Sequence, residues 1–172
     1  MAKIKLLIVM GPSGCGKTTI AQALANRLSD GHYVEGDQLH PQSNIDKMSN
    51  AIPLDDDDRW PWLQSIRQHC ENNAIQQHDN QYLIVTCSAL KKIYRNQLRQ
   101  IQHFQWIKFI FPQGSQQLIG QRIEQRKDHY MKANMLQSQF ECFQPPIDEN
   151  DVIVVDIEQS IDIIIDEILN KL

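Results

Sequence analysis

Hydrophobic residues fall in short runs separated by longer segments of mixed character, and this alternation is the main indicator of fold in the chain. Continuous apolar runs of strand length stand at Lys5–Met10 and Tyr82–Cys87. Further strands are predicted at His32–Glu35, Gln105–Phe111 and Val152–Asp156. Runs that are apolar at successive positions are typical of strands buried on both faces, as in a parallel sheet.

The segments between these strands have the spacing of helices. Leu90–Ile101 is amphipathic, with Leu90, Ile93, Tyr94, Leu98 and Ile101 on one side. Other helices are predicted at Thr18–Ser29, Pro41–Asn50, Asp55–Gln77, Ser115–Gln125 and Ser160–Leu172. Strands that alternate with helices indicate βαβ units with right-handed crossovers, and therefore a three-layer α/β/α fold around a parallel sheet. Ligands in such folds bind at the carboxyl ends of the strands.

Two stretches are longer than simple connections between a strand and a helix. They are Glu35–Leu63 and Arg122–Pro146, and the second is rich in basic and polar residues without a clear strand. Insertions at the carboxyl edge of a sheet are where binding elements and lids are found. We expect one domain over residues 1–172, with a helical lid insertion at about 122–146.

Length, charge and cysteine content narrow the possible functions. A chain of 172 residues has the size of one domain, and a net charge of −4 does not favour binding to nucleic acid or to an anionic membrane. No apolar stretch reaches the length of a membrane span, and the first strand begins too early to leave room for a signal peptide. The four cysteines lack metal-binding spacing, which favours reduced thiols in a cytoplasmic protein.

The most specific motif is Gly11–Thr18, which reads G-P-S-G-C-G-K-T and matches G-x-x-x-x-G-K-[ST]. It lies between a predicted strand and a predicted helix, so the loop amides and the helix N-terminus would face a bound phosphate. Lys17 could reach the β- and γ-phosphates, and the Thr18 hydroxyl could ligate Mg²⁺. The motif predicts a nucleoside triphosphate held by Gly11, Pro12, Ser13, Gly14, Cys15, Gly16, Lys17, Thr18 and Thr19.

Acidic residues suggest what could be done with that nucleotide. Asp37 follows the second predicted strand, where it could take a proton from a substrate hydroxyl or contact Mg²⁺ through water; a turn-forming aspartate is the alternative. The strand Tyr82–Cys87 is not followed by an acid, and no N-K-x-D motif is present, which argues against a GTPase switch or a motor ATPase. The run Asp55–Asp58 is better explained as a helix N-terminus than as a metal site, since consecutive residues point in different directions.

Basic residues cluster near the predicted carboxyl edge. Those in segments entering or leaving the strand ends are Lys47, Arg59, Lys91, Lys92 and Arg95. Arg122 and Arg126 are four residues apart and share a helix face, which fits a lid over transferring phosphates and also fits ordinary charge patterning.

Several segments together resemble the gluconate kinase family. Besides Gly11–Thr18, they are Glu35–Pro41, Asn44–Met48, Pro53-Leu54 with Asp58-Arg59, Pro61–Leu63, Cys87–Lys91 with Tyr94-Arg95, and Ser138–Phe140. They span most of the chain in order. The resemblance implies a P-loop kinase fold with a mobile lid, usually as a homodimer, that phosphorylates D-gluconate at its 6-hydroxyl with ATP and Mg²⁺.

The resemblance also implies residue roles. Lys17 and Thr18 would bind ATP with its metal, and Asp37 would activate the hydroxyl that attacks. The sugar-acid pocket would be lined by Asp37, His40, Lys47, Arg59, Lys91, Arg95 and Gln139. Arg122 and Arg126 would act from the lid. The alternatives are another small-molecule kinase of this fold, such as a shikimate-like or nucleotide kinase, and a nucleotide-binding regulator that transfers no phosphate.

Overall fold

A parallel sheet lies at the centre of the computed structural model, which describes residues 4–28, 30–76, 81–125 and 133–172. Its strands are β1 (Lys5–Val9), β2 (Gly31–Val34), β3 (Tyr82–Thr86), β4 (Ile107–Gln113) and β5 (Val152–Asp156). They are arranged in the order β2-β3-β1-β4-β5, and every neighbouring pair is parallel. The five predicted strands are therefore present, as is the predicted α/β class.

The central strand shows why its sequence is apolar at every position. Leu7 of β1 is paired with Ile84 of β3 on one side and with Lys108 of β4 on the other. Leu6 and Ile8 point to one face of the sheet, where they join one apolar cluster, and Leu7 and Val9 join a second cluster on the opposite face. Both faces are covered, so neither set of side chains could be polar without a partner.

Helices form the outer two layers. They are α1 (Lys17–Arg27), α2 (Gln42–Ser49), α3 (Asp56–Gln76), α4 (Lys92–Leu98), α5 (Gln116–Glu124), α6 (Ala133–Cys142) and α7 (Ile161–Asn170), with a 3₁₀ turn at Gly36–Leu39. Helices α3 and α4 pack on one face of the sheet, through residues such as Trp62 and Leu98. Helices α1 and α7 pack on the other through residues such as Leu24 and Ile165. This is the predicted three-layer arrangement.

Some element bounds, and one helix assignment, differ from the sequence-based expectation. Helix α4 starts at Lys92 instead of Leu90, because Ala89 has a left-handed φ of 40° and Lys91 is extended. Strand β4 continues past Phe111, because Pro112 and Gln113 still pair with β5. Helix α6 lies inside the insertion predicted as a helical lid, where no individual helix had been assigned.

The carboxyl ends of β2 and β3 approach each other very closely. The Gly36 N–H donates to the Thr86 hydroxyl at 3.0 Å, and the Trp62 indole donates to the Gly36 carbonyl at 2.8 Å. A Cβ atom at Gly36 would lie 1.9 Å from the Thr86 carbonyl oxygen, so only glycine fits here. Nearby, the Gly11 N–H donates to the Ser88 carbonyl at 3.0 Å. The chain segments that follow β1, β2 and β3 therefore meet at one edge.

The described residues include no helix with both the length and the apolar character needed to cross a membrane. None of the four cysteines, all of which the structure describes, forms a disulfide bond, and Cys15, Cys70 and Cys87 are buried.

Two glycines provide a matched test of this packing. We expect Gly36→Ala to lower the free energy of unfolding by about 3 kcal/mol, because the added methyl group must displace the end of β3. Gly120→Ala should raise it by about 0.5–1 kcal/mol, because a Cβ at that helical position meets no atom within 4 Å and alanine favours the helix. Urea unfolding followed by circular dichroism measures both. Equal stability of the two variants would contradict the close approach.

Candidate functional site

The carboxyl edge of the sheet contains a pocket, called here the edge pocket, between the glycine loop, the 3₁₀ turn, α3 and α6. It is lined by Ser13, Lys17, Asp37, His40, Met48, Pro53, Leu54, Arg59, Trp62, Ser88, Met135, Ser138 and Gln139. Six residues predicted for the site, which come from four separate segments, meet here. They are Ser13, Lys17, Asp37, His40, Arg59 and Gln139.

The glycine loop has the backbone that the motif predicts. Gly11, Gly14 and Gly16 have φ values of 123°, 82° and 98°, which residues with a side chain rarely adopt. The Lys17 ammonium folds back over the loop and donates to the Pro12 carbonyl at 3.0 Å. Cys15 is fully buried in the loop, and Thr19 is exposed in the first turn of α1. The Ser13 N–H donates to Gln139 Oε1 at 2.7 Å, so α6 touches the loop directly.

Glu35 is a site residue that the sequence-based reasoning missed. Its carboxylate accepts hydrogen bonds from the hydroxyls of Thr18, at 2.8 Å, and of Tyr33 and Thr86. Burial alone would raise its pKa, but the three hydroxyl donors together lower the pKa of Glu35, so the carboxylate is ionised. The only signal in the sequence was its position, two residues before Asp37 at the end of a strand.

The Thr18–Glu35 contact also decides which part of Thr18 faces a ligand. A hydroxyl group has one proton, and Thr18 donates its proton to Glu35. The lone pairs of the Thr18 oxygen are therefore left for an electron-poor partner. An oxygen with free lone pairs next to an anionic carboxylate fits the oxygen-rich ligand set that Mg²⁺ prefers.

Asp37 lies on the other side of Gly36 and faces the edge pocket. Its side chain lines the pocket, and the residue is exposed to solvent there. Desolvation by the protein near the carboxylate raises the pKa of Asp37, against the opposing effect of Lys17, and nearby Glu35 raises it further. A carboxylate that is easier to protonate than usual is suited to accept a proton from a hydroxyl group.

His40 lines the edge pocket as a neutral ring with one N–H donor. Its ring stacks on Trp62 with centroids 4.1 Å apart, and its Nδ1 lies 3.1 Å from Asn44 Nδ2. Asn44 Nδ2 also donates to the Asp58 carbonyl at 2.8 Å. A carbonyl oxygen can only accept, so the Asn44 NH₂ group must face both partners and His40 Nδ1 must be the acceptor. The ring proton is therefore on Nε2. Burial, followed by the nearby Arg59 charge, lowers the pKa of His40 to about 4.

The basic residues predicted to line the sugar-acid pocket differ in whether they already have an acidic partner. Lys47 forms an ion pair with Asp58 and Lys91 with Asp56, each at 2.6 Å, and neither lysine lines the edge pocket. Arg59 lines the pocket, is 7% exposed and lies over the Tyr94 ring, 5.8 Å from its centroid. In the described part of the chain, no carboxylate lies within ion-pair distance of Arg59.

The acidic run Asp55–Asp58 forms a helix start, as predicted. The Asp55 carboxylate accepts from the Asp58 N–H at 2.9 Å, and the Asp58 carboxylate accepts from the Asp55 N–H at 3.0 Å. This reciprocal pair satisfies backbone donors at the N-terminus of α3. Two acids of the run also form ion pairs, Asp58 with Lys47 and Asp56 with Lys91.

The prediction that Arg95 lines the pocket was wrong. Arg95 is completely buried, and its two ion-pair contacts with Glu149 include one of 2.6 Å. Its remaining N–H groups donate to the carbonyls of Ala89, Leu90 and Gln144. All five donors of the guanidinium have protein acceptors, so none is left for a substrate.

The structure describes only one of the two arginines predicted to act from the lid. Arg122 does not line the edge pocket, and its guanidinium donates to the Ile157 carbonyl at 2.6 Å, just after β5. Arg126 lies outside the described residues. Their role at transferring phosphates stays a prediction.

Comparison with known proteins gives consistent matches. The AAA domain family model matches residues 6–146. A thermoresistant gluconokinase of Escherichia coli is 42% identical over 160 residues, covering 91% of this chain and 87% of that protein. A probable gluconokinase of Schizosaccharomyces pombe is 41% identical over 158 residues, covering 90% of this chain and 81% of that protein. The crystal structure of a gluconokinase from Sinorhizobium meliloti is 36% identical, with a TM-score of 0.84 over 99% of this chain and 92% of that chain.

The protonation state of His40 can be tested directly. Between pH 4 and 6.5 the unfolded chain binds a proton at this histidine that the folded protein does not bind. We therefore expect the contribution of His40 to stability to fall as the pH is lowered through this range. Nitrogen-detected NMR should show an Nε2–H ring that does not titrate between pH 5 and 8. Asn44→Leu should mix the two ring tautomers, and a wild-type titration midpoint above 6 would contradict the assignment.

Proposed function

The chain belongs to the gluconokinase family, and we infer from its site that it transfers the γ-phosphoryl group of ATP to the 6-hydroxyl of D-gluconate. The products are ADP and 6-phospho-D-gluconate. The observation that carries this function is the meeting, in one edge pocket, of a phosphate-binding lysine, a carboxylate and an arginine without an acidic partner. These residues are Lys17, Asp37 and Arg59.

The glycine loop is the donor half of the site. Its backbone N–H groups and the N-terminus of α1 favour the charge of the ATP phosphates. Lys17 would exchange the Pro12 carbonyl for phosphate oxygens, which are stronger acceptors because they are charged. Gln139 holds the Ser13 N–H in the structure, and a phosphate oxygen would compete for the same donor.

The remaining wall of the edge pocket is the acceptor half. D-Gluconate carries one carboxylate and a chain of hydroxyl groups. Arg59 offers a buried positive charge to the carboxylate, and His40 offers an uncharged Nε2–H donor to a hydroxyl oxygen. Asp37 would accept the proton of the 6-hydroxyl. Arg59 would thus bind the charged end of the acceptor, and Asp37 would contact its reacting end.

The transfer itself requires little covalent chemistry from the protein. The 6-oxygen forms a bond to the γ-phosphorus, the bond from that phosphorus to the β,γ-bridging oxygen breaks, and ADP leaves with the bonding electrons. The hydroxyl proton passes to the Asp37 carboxylate, whose raised pKa makes it a better acceptor. Lys17 neutralises charge on the phosphates, so catalysis rests on position and electrostatics.

Thr18 and Glu35 are the residues that would hold Mg²⁺. A bound Mg²⁺ ion neutralises phosphate charge during transfer. Thr18 offers its oxygen because its proton is given to Glu35, and Glu35 adds a negative charge beside it. Both residues therefore fit an oxygen-ligated cation at the donor half of the site.

Assembly, lid movement and location belong to the same proposal. A lid at about 122–146, carrying Arg122 and Arg126, would exclude water that competes as acceptor. The resemblance to gluconate kinases implies a homodimer, cysteines without disulfide bonds fit a cytoplasmic protein, and a net charge of −4 does not favour nucleic acid or an anionic membrane as a partner.

A coupled assay of ADP formation, with and without D-gluconate, tests the function. We expect ADP formation only when D-gluconate is present, and neither shikimate nor nucleoside monophosphates should replace it. Lys17→Ala serves as the inactive control. ADP formation with shikimate or a nucleotide would support another kinase of this fold, and ATP binding without ADP formation would support a regulator.

Asp37→Asn separates catalysis from binding. The amide cannot accept the hydroxyl proton, so we expect kcat to fall at least 100-fold while the KM for D-gluconate changes less than threefold. Steady-state kinetics measures both. Asp166→Asn, on the exposed face of α7, removes a carboxylate far from the edge pocket and should leave both constants unchanged. A change confined to KM would make Asp37 a binding residue only.

Arg59 can be compared with Lys47 and Lys91 under the same assay. Loss of a buried partner for a charge costs about 2–5 kcal/mol, so Arg59→Met should raise the KM for D-gluconate by about 100-fold. Lys47→Met and Lys91→Met should change it less than fivefold, because both lysines already pair with an aspartate. D-Glucitol, which lacks the carboxylate, should be used equally poorly by wild type and Arg59→Met. A large rise in the KM for either lysine variant would indicate that this lysine, and not Arg59, binds the carboxylate of D-gluconate.

A further inference from the structure

Helix α6 forms one wall of the edge pocket but has few anchors of its own in the sheet. Its residues Met135, Ser138 and Gln139 line the pocket. It follows residues outside the described part of the chain and ends at Cys142. Whatever holds its C-terminal end therefore sets where this wall lies.

Two neighbouring residues hold that end: Phe143, whose ring packs on Phe111 with centroids 5.1 Å apart, and Gln144, which makes the hydrogen bonds. The Gln144 backbone N–H donates to the Leu90 carbonyl at 2.8 Å, and its side-chain Oε1 accepts from the Lys92 N–H at 2.8 Å. Its carbonyl accepts from the Arg95 guanidinium at 3.0 Å. These contacts with Leu90, Lys92 and Arg95 are called here the Gln144 clamp. Lys92 is the first residue of α4, and no side chain of the preceding Lys91 caps it, so Gln144 supplies the missing acceptor.

Arg95 makes the clamp rigid. It is 0% exposed and joins the carbonyls of Ala89, Leu90 and Gln144 to the Glu149 carboxylate, which is 3% exposed. Burial would raise the pKa of Glu149, but hydrogen bonds from Arg95 and Arg99 lower it to about 2, so the pair is charged. Breaking such a buried pair from one side leaves an uncompensated charge, which strongly opposes movement.

The clamp acts on the same segment that builds the opposite wall of the pocket. Ala89 and Leu90 directly follow Ser88, which lines the edge pocket and accepts from the Gly11 N–H of the glycine loop. Both walls of the edge pocket are therefore connected to the same residue, Arg95. One turn before its C-terminal end, α6 also reaches the loop through the Gln139–Ser13 contact.

We propose that Gln144, held by Arg95, positions helix α6 against the edge pocket and thereby sets the affinity for the phosphoryl acceptor. Gln144 and Arg95 are positioning residues, because neither lines the pocket. The inference rests on the proposed function only for the identity of the acceptor.

The test compares Gln144→Ala and Arg95→Met with Arg99→Met. Arg99 is a matched control because it lies on the same side of the network and pairs with the same Glu149 at 2.5 Å, yet it has no contact with Gln144. We expect Gln144→Ala to raise the KM for D-gluconate about tenfold, with the KM for ATP and kcat each changed less than threefold. Arg99→Met should leave all three constants within threefold of wild type.

A rescue variant and a second readout make the test independent of folding and of the assay. Gln144→Glu keeps an oxygen at the start of α4, where negative charge is favoured, and should restore the KM. Amide hydrogen exchange in α6 should quicken about tenfold in Gln144→Ala and not in Arg99→Met.

If Arg95→Met does not fold, the Gln144→Ala variant still provides the test, because the Gln144 side chain is exposed. Unchanged exchange and unchanged KM in Gln144→Ala would overturn the proposal. Faster exchange in α6 without any gluconate-dependent activity in wild type would support the clamp and overturn the proposed function instead.

Discussion

The close contact between Gly36 and Thr86 is the constraint on which the site depends. Because the backbone at Gly36 lies against β3 with no room for a side chain, the residues on either side of it are directed apart. Glu35 turns toward Thr18 and the donor loop, and Asp37 turns toward the edge pocket. Trp62 reinforces this turn from α3 and stacks on His40 with its other surface. One glycine thus separates Glu35, which we propose holds the metal, from Asp37, which we propose accepts the proton.

The basic residues in and around the site differ in whether an acidic side chain already neutralises them. Lys47, Lys91 and Arg95 are satisfied by Asp58, Asp56 and Glu149, and they hold loops and helix ends in place. Arg59 lies over a tyrosine ring and turns its charge to the pocket. In the proposed function, Arg59 and Lys17 would therefore attract the anionic groups of the two substrates, while the neutral His40 would contact hydroxyls without adding a third positive charge. Burial of several unpaired cations together would cost much more.

The layers of the fold could be predicted because each strand of the sheet is covered on both faces, which makes Leu6 to Val9 apolar without alternation. The donor loop and Asp37 could be predicted because their chemistry depends on residues close together in the chain. Glu35 could not, because its role is defined by Thr86, 51 residues away. Arg95 has the residue type of an anion ligand, and only its contact with Glu149, 54 residues later, shows that the charge is already used. Local patterns predict elements and motifs, but not which charges find internal partners.

The full use of Arg95 has a consequence for how this sequence can change over time. Lysine has only three donors and no planar fork, so it cannot replace an arginine whose five donors are all engaged. Replacing Glu149 first would leave a buried cation, and replacing Arg95 first would leave a buried anion. Substitutions at Arg95 and Glu149 must therefore occur together. An arginine retained through long divergence for this reason would be easily mistaken for a catalytic residue, although it is buried and does not line the pocket.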